Sequence, residues 1–192
     1  GSSGFSGDGG LATSAQLNPE SENFRVALDA NGDVYIADVG NHRIRKITVA
    51  DGIITTVAGN GVQGFAGDGG SATSASLDRP SNIAFDSNGD MFVLDSGNNR
   101  VRKVDFSTGV INTVAGPTGL SDPRGIAVAP NDVVFVTDTH GTQDLKKIDA
   151  AGVDNLVALV NIGSYPHDLA IDDSGVIYVA KSSAGTVVEL DG

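Results

Sequence analysis

Acidic residues with the spacing of a calcium loop occur twice in this chain, in the segments 29–33 and 86–90, which read Asp-Ala-Asn-Gly-Asp and Asp-Ser-Asn-Gly-Asp. Carboxylates at alternate positions supply the oxygen ligands that Ca²⁺ prefers, but a calcium loop is closed by a glutamate at its twelfth position, which neither segment has. The central Asn-Gly pair is also the strongest short sequence signal of a hairpin turn. We therefore interpret both segments as plain turns between strands.

A second acidic motif, Gly-Phe-x-Gly-Asp-Gly-Gly, spans residues 4–10 and 64–70. Such a glycine-rich loop could offer backbone N–H groups to an anion, or Asp8 and Asp68 to a cation. The simpler interpretation is a compact loop, in which glycines permit positive φ angles and Phe5 and Phe65 serve as apolar anchors. We favour the compact loop and predict no cofactor; a divalent cation such as calcium stays open as an alternative.

Three histidines, His42, His140 and His167, could ligate a metal or carry a proton. His42 and His140 occupy equivalent positions in two copies of an internal repeat, which places them in different turns away from a shared centre. One metal ion bound by all three is therefore disfavoured. We assign no metal ligand and no catalytic residue from the sequence.

The internal repeats are the elements that must position these residues. Asp38, Asp95, Asp138 and Lys181 occupy equivalent positions at intervals of 57, 43 and 43 residues. The basic unit is thus 43 residues long, and the second copy carries 14 extra residues, which we attribute to the glycine-rich loop. A period in the low forties is typical of a propeller blade. We expect a single domain over 1–192, with blades at about 1–60, 61–117, 118–160 and 161–192.

Each copy is expected to form a blade of four antiparallel strands. Apolar runs such as 34–37 and 91–94 are nearly continuous in the first two strands, which indicates burial on both faces, as when blades stack on blades. The third strand alternates charged and apolar residues, as in 43–47, and the last copy lacks its fourth strand. The predicted fold class is all-β, a β-propeller.

The repeat resembles the NHL repeat, a family named for its Asn-His-Leu signature. The signature reads Asn-His-Arg at 41–43 and Asn-Asn-Arg at 98–100, and the resemblance covers nearly the whole chain. The fourth copy departs from the pattern, with Lys181 and Thr186 in place of the usual Asp and Arg. The resemblance implies a propeller that usually has six blades, sometimes five.

About four repeats leave such a ring incomplete. An uncovered blade face would expose roughly 400–600 Å² of apolar surface and forfeit about 10–15 kcal/mol of stabilisation. We therefore expect the 192 residues to belong to a larger, six-bladed ring as a fragment of a longer protein, or to be completed by another chain. Self-association through the open blade faces is one route to such completion.

Propeller geometry places the loops between blades on the same face as the turns between strands two and three, and we take this loop-rich face as the binding face. Its channel mouth is lined by residues at the start of the innermost strands. Equivalent positions there hold different polar residues within a constant frame, which favours a ligand site. The candidate ligand-binding residues are Arg25, Ser81, Asn82, Arg124, His167 and Asp168.

Two acid–base pairs are expected across the turn between strands two and three, Asp38 with Arg43 and Asp95 with Arg100. The fourth copy lacks both members of the pair, as expected if the two act together. We interpret both as ion pairs that stabilise the blade, with no role in binding.

Charge and composition disfavour several functions. Twelve Lys and Arg against 24 Asp and Glu give a formal net charge of −12, which repels nucleic-acid phosphates and anionic membranes. The chain has no cysteine, and no apolar run reaches the length of a membrane span. We expect a bacterial exported protein, extracellular or periplasmic, although these residues contain no recognisable signal peptide.

By resemblance, the expected function is that of a non-catalytic binding or scaffolding module. Its partner would be a protein or small ligand on the loop-rich face, and the acidic surface suits a basic, neutral or carbohydrate-like one. Related propellers also include lactone hydrolases and lyases that use a metal. A metal-assisted enzyme of that type, with its site at the channel mouth, is the alternative.

Overall fold

The fold is described from a computed structural model that covers residues 3–20, 25–140, 144–148, 156–162 and 165–190. Within these residues the chain forms seventeen strands in four antiparallel sheets, together with four one-turn 3-10 segments and no α-helix. The predicted all-β class is confirmed. No helix in the described part of the chain is long and apolar enough to cross a membrane.

Sheets one and two share a plan of five strands. The strands of sheet one are β1 (Gly10–Leu11), β2 (Val26–Leu28), β3 (Val34–Asp38), β4 (Arg43–Ile47) and β5 (Ile53–Ala58). The strands of sheet two are β6 (Gly70–Ser71), β7 (Pro80–Phe85), β8 (Met91–Asp95), β9 (Arg100–Asp105) and β10 (Val110–Ala115). Four strands form the expected meander in each sheet. The glycine-rich loop adds a two-residue strand beside the last of them, at the outer edge.

Sheets three and four have no such added strand among the described residues. Sheet three contains β11 (Pro123–Val128), β12 (Val134–Asp138), β13 (Asp144–Ile148) and β14 (Leu156–Asn161), paired in that order. Sheet four contains β15 (Pro166–Ile171), β16 (Ile177–Lys181) and β17 (Thr186–Leu190), also paired in order. All pairings within these sheets are antiparallel.

The four sheets stack on one another as blades. Three apolar clusters fill the spaces between successive sheets, with Tyr35 and Met91 in the first, Leu94 and Val136 in the second, and Leu145 in the third. The innermost strands β2, β7, β11 and β15 contact one another in succession. The first strand of every blade therefore lines one channel, and the residues at its start meet at the channel mouth.

The outward faces of the first and last blades expose apolar side chains. Val26 and Leu28 on blade one are 60% and 63% exposed, although the equivalent residue of Val26 in blade two, Ile83, is 5% exposed. Val187 on blade four is 66% exposed, whereas the equivalent Ile44 of blade one is fully buried. These two faces repeat the apolar pattern of the internal blade interfaces without a described partner.

Candidate functional site

A buried carboxylate at the end of the second strand holds each of the first three blades together. Asp38, Asp95 and Asp138 are fully buried. Each accepts a hydrogen bond from the backbone of the preceding inter-blade loop; the N–H groups of Asn18, Asp78 and Asp122 donate at 2.8, 2.7 and 2.8 Å. The loops that border the channel mouth are therefore fixed by the blade that follows them.

The basic partner of this carboxylate differs from the predicted one. Asp38 lies 3.5 Å from Nη1 of Arg45, not in an ion pair with Arg43, although Arg43 is its register partner. The guanidinium of Arg43 instead lies 3.8 Å from the centroid of the Phe5 ring and donates to the carbonyl of Asn60 at 2.6 Å. Phe5 of the glycine-rich loop thus holds Arg43 away from Asp38. Arg45 lies two residues further along the same face of the strand, and its side chain is the one that extends to Asp38.

The second predicted pair is corrected in the same way. Asp95 lies 3.5 Å from Nη1 of Arg102, while Arg100 stacks on Phe65 at 3.8 Å. Blade three reaches the same arrangement with a lysine, because Nζ of Lys146 lies 2.7 Å from Asp138.

The glycine-rich loops supply a carboxylate to the buried arginines. Asp8 accepts a hydrogen bond from Arg45 at 2.7 Å, and Asp68 accepts one from Arg102 at 2.7 Å. Both arginine side chains are fully buried, so that these contacts offset the cost of burying a charge. The cation held by these loops is thus an arginine of the same blade.

The calcium-like segments also hold a cation of the chain itself. Asp29 accepts hydrogen bonds from the N–H groups of Asn31 and Asp33 at 2.9 and 3.0 Å, which makes the segment a hydrogen-bonded turn. The ammonium group of Lys46 lies 2.7 Å from Asp33 and 3.6 Å from Asp29. Burial alone would lower the pKa of Lys46, but its hydrogen bonds to Asp33 and Tyr35 outweigh burial and raise it. Blade two repeats the arrangement around Lys103.

Residues from three blades meet across the channel. Arg25, Asn82 and Asp168 occupy the same position at the start of the first strand in blades one, two and four. Nε of Arg25 lies 3.3 Å from Asp168, whose other oxygen accepts a hydrogen bond from Asn82 at 3.3 Å. Blade three has Gly125 here, where an added Cβ would come within 2.9 Å of the Cα of Asp168. The missing side chain makes room for the network.

His167 joins the same network, since its Nδ1 lies 3.4 Å from Nη2 of Arg25. His42 is engaged elsewhere, where its Nδ1 accepts a hydrogen bond from the N–H of Arg79 at 3.2 Å. The described residues contain no group of three or more His, Asp or Glu that could hold a metal ion.

A cavity of about 320 Å³ opens beside this network on the loop-rich face. Ser81 and Arg124 line it, as does Arg79, and Ser81 shares a short hydrogen bond with Ser96. Arg124 donates to Asp122 at 2.8 Å, and Arg79 lies 3.7 Å from Glu20. The six predicted mouth residues are therefore divided between two adjacent groups. Arg25, Asn82, His167 and Asp168 form the cross-channel network, and Ser81 and Arg124 line the cavity.

Sequence reasoning missed the buried arginines and several residues of the cavity wall. The signal for Arg45 and Arg102 was available, because these arginines occur in the two copies that carry a Gly-Asp-Gly-Gly loop. Arg79 and Glu20 lie in inter-blade loops, and no sequence pattern indicates that these loops reach the channel mouth.

The stacked sheets of antiparallel strands, arranged around a channel, define the fold as a β-propeller. The NHL repeat matches residues 25–47, and the teneurin NHL domain matches residues 60–122, which supports assignment of these segments to the NHL-repeat β-propeller family.

Curated relatives match parts of the chain. It is 43% identical over 63 residues to NHL repeat-containing protein 2 of Gallus gallus, which covers 33% of this chain and 8% of that protein. It is 34% identical over 79 residues to the chloroplastic protein SUPPRESSOR OF QUENCHING 1 of Arabidopsis thaliana, covering 41% and 7%. Teneurin-3 of Mus musculus is 32% identical over 116 residues, covering 54% and 4%. The chain thus spans less than a tenth of each of these proteins.

Solved structures share the fold at low sequence identity. Virginiamycin B lyase from Staphylococcus aureus superposes with a TM-score of 0.63 at 19% identity, over 91% of this chain and 57% of that one. A gluconolactonase from Xanthomonas campestris gives 0.64 at 16%, over 85% and 60%. A chain of a nidogen–laminin complex gives 0.61 at 23%, over 87% and 64%. These likenesses concern the fold alone.

Proposed function

We propose that this chain is a non-catalytic binding module that holds a protein partner at the channel mouth of its loop-rich face. The observation that carries the proposal is the cavity of about 320 Å³, whose wall combines side chains of three blades. Its residues differ from one blade to the next, while the buried carboxylates behind them repeat. Variable polar groups on a rigid frame are the usual arrangement of a recognition surface.

The charged groups at the cavity are suited to exchange partners. The side chain of Arg79 is 61% exposed in its pair with Glu20, and Arg124 is 35% exposed in its pair with Asp122. Exposed pairs contribute only about 0–1 kcal/mol to stability. Charged groups of a docking protein can therefore replace these internal partners at small cost.

Arg79 adds a conformational argument. Its φ is +48°, a left-handed conformation that non-glycine residues rarely adopt, and it directly precedes Pro80. The equivalent residue of blade four, Tyr165, also precedes a proline and has a φ of +52°, so this conformation belongs to the frame of the repeat. Here it presents the guanidinium at the cavity.

The comparisons are consistent with binding and do not separate it from catalysis. The matched nidogen–laminin structure is a protein complex, whereas the virginiamycin B lyase and the gluconolactonase are enzymes with the same fold. No specific observation in the described residues favours the enzyme alternative over binding. The expected exported location and the absence of a cofactor stay predictions.

A random peptide display library panned against the protein tests the proposal. We expect selected peptides to lose affinity by about 5–30-fold in Arg124→Ala and Arg79→Ala, which corresponds to about 1–2 kcal/mol. Asp173→Ala is the control, because this exposed residue lies on the opposite face in the hairpin of blade four. Equal binding to all variants would place recognition away from the mouth and contradict the proposal.

A further inference from the structure

A second cavity lies on the opposite face of the molecule, where the hairpin turns of blades one and two diverge. This groove has a volume of about 560 Å³, within the usual range of small-molecule sites, about 300–1,000 Å³. The first hairpin contributes Ala30 and Asn31 to its rim, and the second contributes Asn88 and Gly89. It shares no residue with the cavity at the channel mouth.

The next pair of blades shows why this groove is open. Between blades two and three, the N–H and Oγ of Ser87 both donate to the carboxylate of Asp132 at 2.7 Å, which joins the two hairpins. We call this Ser87–Asp132 contact the hairpin clamp. The equivalent residues between blades one and two are Ala30 and Gly89, which have no side-chain group that could form it. Asp132 adopts a φ of +63° to make the contact, at the position where Gly89 has +83°.

The floor of the groove is aromatic. Phe106, in the turn between β9 and β10, is 40% exposed, and its ring centroid lies 6.1 Å from that of the buried Tyr35. The groove therefore offers an apolar ring to a ligand, with a second ring fixed behind it.

The two sides of the groove carry matching amides. Asn31 and Asn88 donate their backbone N–H groups to Asp29 and Asp86, but neither side-chain amide has a hydrogen-bond partner within the described residues. Each amide presents both a donor and an acceptor to the groove. A ligand with hydroxyl groups on both edges would satisfy them.

The charge of the groove selects against ions. Its one lining cation, among the residues described, is Lys46, whose ammonium group is already held by Asp33 at 2.7 Å and Asp29 at 3.6 Å. An anion would find no free cation here, and it would also meet the field of a chain with net charge −12. A cation would find no free carboxylate among the described lining residues, because Asp29 is already paired with Lys46 and accepts hydrogen bonds from the N–H groups of Asn31 and Asp33. The groove therefore suits a neutral ligand.

We propose that this groove binds a neutral pyranose sugar, either a single hexose or the terminal unit of a glycan. The C–H face of the sugar ring packs on Phe106, and its hydroxyl groups exchange hydrogen bonds with the amides of Asn31 and Asn88. The site is independent of the protein-binding function proposed for the channel mouth.

Saturation-transfer NMR tests the proposal, with the methyl glycosides of glucose, galactose, mannose and N-acetylglucosamine as probes. We expect at least one to bind with a dissociation constant of the order of 1 mM, with the strongest transfer to protons on one face of its ring. Phe106→Ala should weaken that binding at least about tenfold. Val49→Ala is the matched control, because Val49 is the equivalent residue in blade one, 60% exposed and outside the groove.

A second variant introduces the hairpin clamp between blades one and two and leaves Phe106 in place. The double substitution Ala30→Ser with Gly89→Asp reproduces the Ser87–Asp132 contact, and a Cβ at Gly89 meets no heavy atom within 4 Å. We expect this variant to fold, with reduced stability because Gly89 has a positive φ, and to lose sugar binding. The proposal is overturned if no glycoside binds, or if binding survives both Phe106→Ala and the double substitution. Phenol serves as an aromatic probe without a sugar ring, and its binding in the absence of any glycoside binding would show that the groove takes aromatic ligands instead.

Discussion

The charge state of Asp95 is a property of one residue that the repeat does not reveal. Burial raises the pKa of Asp95 to about 6, against the lowering effects of hydrogen bonds from Asn98 and Asp78 and of the charge of Arg102. The folded-state pKa then exceeds the unfolded value of 3.8. The protonated carboxyl therefore contributes stability that is fully present below pH about 4 and is lost as the pH rises through about 6.

A ¹³C NMR titration of the side-chain carboxyl groups checks this prediction. We expect a midpoint near pH 6 for Asp95, since about 6 is its folded-state pKa. Asp105, in the same blade, is the internal control, because a hydrogen bond from the hydroxyl of Ser107 lowers its pKa. A midpoint for Asp95 below about 4 would show that the hydrogen bonds from Asn98 and Asp78 and the charge of Arg102 together outweigh burial.

The sequence identified Asp38 and Asp95 as structural residues but assigned them the wrong partners. Proximity along the hairpin favoured Arg43, since it faces Asp38 in the register. In blades one and two the glycine-rich loop favours this pairing, because Phe5 contacts Arg43 and Asp8 covers Arg45. Blade three forms the equivalent pair between Lys146 and Asp138 without such a loop. A charged residue in an alternating strand is ordinarily read as exposed. Its burial depends on a loop about 37 residues away, which local patterns cannot indicate.

At the scale of elements, the two positive-φ glycines of the Gly-Asp-Gly-Gly loop give a matched comparison. Gly67 and Gly69 have φ of +96° and +79°. An added Cβ at Gly67 would lie 2.7 Å from the Cα of Ala75, whereas one at Gly69 meets nothing within 4 Å. Both substitutions cost left-handed strain of about 1–2 kcal/mol, but only that at Gly67 also displaces backbone.

We therefore expect Gly67→Ala to lower the free energy of unfolding by at least about 2 kcal/mol more than Gly69→Ala. Urea denaturation of the two variants measures the difference. Equal losses of unfolding free energy would mean that the glycine-rich loop can shift away from Ala75 at no cost. The close approach of Gly67 to Ala75 would then not be what positions Asp68 against Arg102.

Strands and hairpins were predictable because each copy repeats the same local chemistry. Gly32 and Gly89 have the positive φ expected of the Asn-Gly turns, and the second strands are buried on both faces as their apolar runs indicated. The short outer strands β1 and β6 were not predictable, since two residues carry no periodicity. The contact of Arg25 with Asp168 was also hidden, because it joins residues far apart in the sequence and depends on Gly125 having no side chain.

At the scale of the whole molecule, the end faces are two halves of an interface that the chain forms three times internally. Leu28 on blade one corresponds to Phe85 on blade two, whose ring centroid lies 4.7 Å from that of Tyr35. Val187 on blade four corresponds to Ile44 and Leu145, which are buried at the first and third interfaces. The superposed propellers are longer than this chain, which covers 57–64% of their length. We therefore expect each end face to bind a blade-like surface of matching shape.

These 192 residues, isolated in solution, should therefore self-associate. Light scattering coupled to size exclusion should give an average mass above the 19.5 kDa of one chain that rises with concentration. Leu28→Glu and Val187→Glu should each lower that mass, because a buried charge opposes blade stacking on either face. Val62→Glu is the control, since Val62 is 62% exposed in an inter-blade loop, away from both faces. A monomer at every concentration would show that the two faces do not bind each other, so that any partner must have a different surface chemistry.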